Sequence, residues 1–78
     1  MATLSAQELR DRAERAIENS TYTQADVARK LDVSRASVNR AINDTTRKFE
    51  RLRCRIIELL EPYRVNRRRV FDVHPKDQ

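Results

Sequence analysis

Two helix starts stand eleven residues apart in the stretch 23–43, TQADVARKLDVSRASVNRAIN. Thr23, with Asp26 three positions on, and Ser34 are residue types whose side-chain oxygens accept from the unpaired amides of a first helical turn. Each precedes an apolar stripe of helical period: Val27, Ala28 and Leu31, then Val38, Ala41 and Ile42. Only Leu31-Asp32-Val33-Ser34 separates them, which is room for a tight turn and little else. Two short helices so joined must cross steeply to bury both stripes, and small Ala28 belongs at their closest approach.

The outer face of the second segment then consists of Arg35, Ala36, Asn39, Arg40 and Asn43. Arginine and asparagine present paired donors suited to base edges and phosphates. An ordinary helical hairpin with a wet surface would use the same residues, so the spacing must be read with the rest of the chain.

The stretch resembles the helix-turn-helix of phage Cro-type regulators: Gln24 opens it, Ala28 lies four residues later, and Leu31, Val33, Val38, Asn39, Arg40, Ala41 and Ile42 follow in that family's order. It is also similar to the opening helices of the lactose-repressor family, through Asp26-Val27-Ala28 and Val33-Ser34-Arg35-Ala36-Ser37-Val38. The likeness covers about a quarter of the chain. It implies a helix starting at Ser34 that lies in the major groove of DNA. Arg35, Ala36, Asn39 and Arg40 then face bases, while Thr23, Gln24, Ser34, Asn43, Arg47 and Lys48 hold phosphates. One departure stands out. Those families place glycine in the turn, this chain contains none, and Asp32 occupies the site. Asp32 is therefore expected to adopt a left-handed backbone that an aspartate tolerates better than most L-residues.

Charge supports a polyanion partner. Residues 1–33 carry a net −1, residues 34–69 a net +7 and the last nine a net −1. The positive charge thus begins at the proposed reading helix and runs through Arg69. Of the 17 basic residues 14 are arginine, which forks onto phosphate and guanine better than lysine does. An acidic lipid surface would attract the same charge but leaves the internal apolar pattern unexplained.

With 78 residues, 38% of them hydrophobic and 37% charged, the chain makes one small domain with a thin core. It has neither a long apolar run nor a basic-then-apolar start, so neither a membrane span nor a secretory signal is expected. Cys54 is the sole cysteine, which rules out a disulfide framework and a cysteine-rich zinc site and suits a cytoplasmic, bacterial or phage-infected setting. One histidine, His74, and one cysteine leave no workable catalytic constellation, and no cofactor, metal or small-molecule ligand is expected.

Flanking elements complete the reading. Ser5 and Glu8 form a capping box before a helix over residues 5–19, with Leu4 and Leu9 as its hydrophobic staple. Leu9, Ala13, Ala16 and Ile17 face inward; Arg10, Asp11, Arg12, Glu14, Arg15 and Glu18 form a solvated surface. Tyr22 precedes the cap at Thr23 and is placed to staple against Val27. A longer helix is expected from about Thr46 to Glu61, ended by Pro62. Its apolar residues Phe49, Leu52, Ile56, Ile57, Leu59 and Leu60 span a sector of roughly 160°, wider than one neighbour needs, so a second partner is expected. In residues 63–74, Tyr63, Val65, Phe71 and Val73 share parity on an extended chain, as in a strand or a hairpin turning near Asn66-Arg67. Such a strand seeks another edge, and a dimer mate is one source. Phe49, Leu52, Ile56, Ile57, Leu60, Val70, Phe71 and Val73 therefore form the expected core or dimer face. Residues Pro75 to Gln78 are expected to fray.

The expected architecture is mainly α: a single helix-turn-helix domain over residues 1–78, about four helices with a C-terminal extended or β segment. The expected function is a DNA-binding transcriptional regulator, a repressor working as a homodimer on an inverted repeat. An antitoxin-type regulator whose C-terminal segment binds a partner toxin, or a helical adaptor using the apolar face of residues 49–60, are the alternatives.

Overall fold

The computed structural model describes residues 2–67 and 71–76. In chain order these form strand β1 (Ala2–Leu4), helix α1 (Ala6–Glu18), α2 (Gln24–Leu31), α3 (Arg35–Asn43), a 3-10 turn (Arg47–Phe49), α4 (Glu50–Leu60), and strands β2 (Tyr63–Arg67) and β3 (Phe71–Pro75). The protein is mainly helical, with four α-helices and a small antiparallel sheet.

The expected caps form. Ser5 Oγ accepts the Glu8 amide at 3.2 Å while the Glu8 carboxylate accepts the Ser5 amide, so α1 begins with a reciprocal box. Thr23 and Asp26 do the same for α2, at 3.1 and 3.0 Å. Ser34 Oγ accepts the Ser37 amide at the start of α3. The inward residues of all three helices are those whose spacing marked them: Leu9, Ala13, Ala16 and Ile17; Val27, Ala28 and Leu31; Val38, Ala41 and Ile42. Tyr22 and Val33 pack against this core from its edge.

Asp32 is left-handed, with φ 58° and ψ 47°. The Val33 amide donates to the Ala28 carbonyl at 2.9 Å and the Asp32 amide reaches back to Arg29, so α2 ends in a Schellman arrangement usually built on glycine. Asp32→Gly is expected to raise stability by about 0.5–1 kcal/mol, several degrees in Tm, because the exposed aspartate pays a Cβ penalty there. Thermal unfolding of the variant checks this; an unchanged or lower Tm denies the strain.

Three local expectations need correcting. The fourth helix is shorter than Thr46 to Glu61: a 3-10 turn covers Arg47–Phe49, and regular helix runs only from Glu50 to Leu60. Thr46 is extended and its side chain makes no cap; instead the Thr46 amide donates to Asp44 Oδ1 at 2.9 Å, a local turn that delays the helix. Glu61 is extended, as a residue before proline should be. Asn66 and Arg67 are not a turn but the end of β2, opposite Asp72 and Phe71. Pro75 and Lys76 are not frayed: Pro75 pairs with Tyr63, and the Lys76 amide and ammonium donate to the Pro62 and Glu58 carbonyls. Asp77, Gln78 and Val70 lie outside the described residues.

The partner that the C-terminal strand needed comes from the chain itself. The sheet order is β1-β3-β2, with Ala2, Thr3 and Leu4 opposite Val73, Asp72 and Phe71. Nothing in three residues before a cap announces a strand. Leu4, Val65 and Val73 are buried from the sheet side. The wide apolar sector of α4 is thereby accounted for, since α4 packs against α1, α2 and α3 and also against β2. Leu52, Ile56 and Ile57 are buried core, and Phe49, Leu59 and Leu60 are half-buried against it. The Val65 amide donates to the Glu58 carboxylate at 2.9 Å, which fastens β2 to α4.

Candidate nucleic-acid interface

The α3 surface divides cleanly. Val38, Ala41 and Ile42 are buried, and Arg35, Ala36, Asn39, Arg40 and Asn43 are all exposed. Positions 35, 36, 39, 40 and 43 fall on one face at helical spacing, so the five side chains point away from the core together. Arg35 and Arg40 make no ion pair with any described residue. Their guanidinium donors face solvent, as a surface awaiting acceptors requires.

Residues from α2 join this face. Gln24, the first residue of α2, accepts a hydrogen bond through Oε1 from Asn39 Nδ2 at 3.3 Å. The bond crosses from the start of one helix to the middle of the other and sets the Asn39 amide within the exposed face. Asn43 Nδ2 donates to the Asn39 carbonyl at 2.9 Å, so its amide is partly engaged in the helix itself. Ser34 is spent on structure: besides accepting the Ser37 amide, its hydroxyl donates to Ser37 Oγ at 2.9 Å. Thr23 Oγ1 accepts the Asp26 amide, which ties its oxygen to the cap. Of these four positions read as phosphate contacts, Gln24 and Asn43 keep amide donors that their bonds leave for a ligand.

Arg47 and Lys48 sit on the 3-10 turn beyond α3, both exposed. The Lys48 ammonium lies 5.7 Å from the Phe49 ring centroid, a cation–π contact that orients it. Arg51, one turn further along, is exposed as well. The three cations follow α3 in the chain and make no ion pair with a described residue.

Several arginines that swell the positive charge serve the fold instead. Arg55 Nη2 donates to the Leu31 carbonyl at 2.9 Å, closing the end of α2. Arg10 Nη1 donates to the Ile42 carbonyl at 3.1 Å and pairs with Asp11. Arg12 bridges α1 to Glu61 at 3.0 Å. Arg53 is 1% exposed and bonded to three carbonyls near the end of α3. Arg10 and Arg12 are therefore not the solvated surface their charge pattern suggested. One signal was available for Arg53: it lies in the row Phe49, Arg53, Ile57, four residues apart each time, in the middle of an apolar stripe.

Two cap carboxylates carry altered titration. The Ser5 amide, then its hydroxyl, holds Glu8 below the usual carboxylate range. The Thr23 amide, then its hydroxyl, does the same for Asp26, with Arg29 assisting. A carboxylate whose folded pKa is depressed adds stability above its unfolded value, near pH 4, and loses it as pH falls through the folded value. Tm is thus expected to drop as pH falls below about 4. The double variant Glu8→Gln, Asp26→Asn should flatten that slope, and an identical slope would remove these caps from the acid response.

Set against family models, characterised proteins and solved structures, the chain matches none.

Proposed function

We propose that this protein is a sequence-specific double-stranded DNA-binding transcriptional regulator of the repressor kind, reading the major groove with α3. The observation that carries the reading is the α3 face itself: Arg35, Ala36, Asn39, Arg40 and Asn43 exposed together, backed by buried Val38, Ala41 and Ile42. Arginine forks onto guanine O6 and N7, asparagine pairs with adenine N6 and N7, and the Ala36 methyl suits a thymine methyl. Gln24 at the start of α2 and the Arg47–Lys48 pair beyond α3 flank that face and meet phosphates on either side. The net +7 of residues 34–69 supplies the attraction, although Arg53 and Arg55 spend part of it on internal carbonyls.

A single short helix covers few base pairs, so the working form is a homodimer on two inverted half-sites about one helical turn apart, in the cytoplasm of a bacterial or infected cell. The α4 apolar face that a helical adaptor would use is occupied by α1 and β2. That leaves DNA as the better-supported partner.

Selection of bound duplexes from a random pool tests the reading. A recovered palindrome supports site, symmetry and spacing together; a pool with no enrichment after repeated rounds rejects it. Arg47→Ala and Lys48→Ala are expected to weaken all duplexes alike, each reducing the slope of log K against log salt by about 1. Unchanged slopes for both would remove them from the contact surface.

A further inference from the structure

The end of α3 poses a problem that the end of α2 does not. After Asn43 the chain leaves as an extended strand, with Asp44 at φ −136° and ψ 150°, so no left-handed residue folds back to satisfy the last carbonyls. Arg10 supplies one missing donor, to the Ile42 carbonyl, and Arg53 on α4 supplies another and reaches on into the segment beyond. Its Nε donates to the Ala41 carbonyl at 2.7 Å, its Nη1 to the Thr46 carbonyl at 2.8 Å, and its Nη2 to the Asp44 carbonyl.

Placing a guanidinium there is costly. Arg53 is the one buried charged residue among those described and the largest fully buried side chain. Burial pulls its pKa below the ordinary arginine value, and the charges of Asp44 and Glu50 oppose that pull. A buried cation must recover its lost hydration from fixed dipoles. The three carbonyls it takes up are spread over six residues, 41 to 46, which join the reading helix to the Arg47–Lys48 turn. Arginine alone has a rigid fork wide enough to reach acceptors in three directions; lysine offers a compact point charge.

We propose that Arg53 is a positioning residue for DNA recognition: it locks the exit of α3 and residues 44–46 to α4, holding the base-reading face and the Arg47–Lys48 pair in one fixed relation. The proposal rests on the DNA-binding reading above. Base readout and phosphate contact must be made simultaneously, so a loose joint between them lowers affinity where both are used and spares binding that needs only charge. Arg53 itself touches no nucleic acid in this account.

The experiment compares the parent protein with Arg53→Lys on the selected duplex and on a random duplex, at a temperature where circular dichroism shows both folded. Charge is retained, so nonspecific binding is expected to change less than about 3-fold, whereas cognate affinity falls about 10- to 100-fold. Equal cognate affinity in the two proteins overturns the proposal and leaves the DNA reading standing. A parent protein that prefers no duplex overturns both. Should Arg53→Lys fail to fold, one serine inserted after exposed Thr45 loosens the same joint outside the core. That variant is expected to lose the same cognate affinity with Tm within a few degrees, and undiminished cognate binding by it overturns the proposal.

Discussion

Replacing Asn39 and Arg40 together by alanine is expected to weaken binding to the selected duplex by about 30-fold or more while leaving Tm within a few degrees. Each good paired contact to a base edge discriminates by about 1–3 kcal/mol, and the two side chains lie on one exposed face. The fold should not notice their loss, because neither is buried and alanine has the higher helix propensity. Asn39 does carry the link to Gln24, so part of its effect passes through that neighbour and the two substitutions need not add. Fluorescence anisotropy against cognate and random duplexes separates the possibilities. Loss on the cognate duplex alone marks base readers, equal loss on both marks phosphate clamps, and no loss moves the contact surface away from α3.

Ile57→Ala is expected to remove about 2–5 kcal/mol of stability, and Ile56→Ala a similar amount. Both side chains are fully buried on α4, at adjacent positions that turn about 100° from one another around the helix. Each truncation costs the transfer energy of the lost methyl and methylene groups plus the cavity they leave. A domain of 78 residues has only about 4–12 kcal/mol to lose, so either variant should unfold well below the parent, by roughly 10–30 °C. Denaturant titration measures it. A loss below about 1 kcal/mol at both positions would mean that α4 presents this face to solvent or to another molecule instead of to α1 and β2.

Helix caps and buried stripes, which depend on neighbours a few residues away, were legible in the sequence. A cap serine or threonine bonds an amide three residues on, so Ser5, Thr23 and Ser34 could be named before any fold was known. Periodicity placed the buried stripes of α1, α2 and α3, and the missing glycine pointed to a left-handed Asp32. The exposed face of α3 followed as the complement of its stripe. Less clear were the edges of elements. Residues 46–49 looked like the first turn of α4, because nothing in their side chains reveals that the Asp44 carboxylate captures the Thr46 amide. The turn assigned near Asn66-Arg67 failed for a related reason. Without glycine, no residue between 63 and 75 marks a hairpin, and parity alone leaves its position open.

The charge count misled in an instructive way. Summed over residues 34–69 it counted every arginine toward a polyanion partner, yet Arg53 is buried and Arg55 is tied to the Leu31 carbonyl. Acceptors at helix ends are main-chain atoms, present whatever the residue type. Spacing puts Arg53 in the apolar row of Phe49 and Ile57, but nothing in the residues says which carbonyls it will find. The pairing of Ala2–Leu4 with Phe71–Val73 is hidden for the same reason: its hydrogen bonds join backbones nearly the full chain length apart.

The residues alone thus determined the helix-turn-helix, its caps, its left-handed turn and the outward donors of α3, all interactions closed within one or two helical turns. Only the tertiary structure decided which strand completes the sheet, what covers the second flank of α4, and that Arg53 rather than a glycine finishes α3. Those choices rest on main-chain groups brought together by the packing of distant segments, and a main-chain carbonyl looks the same in every residue.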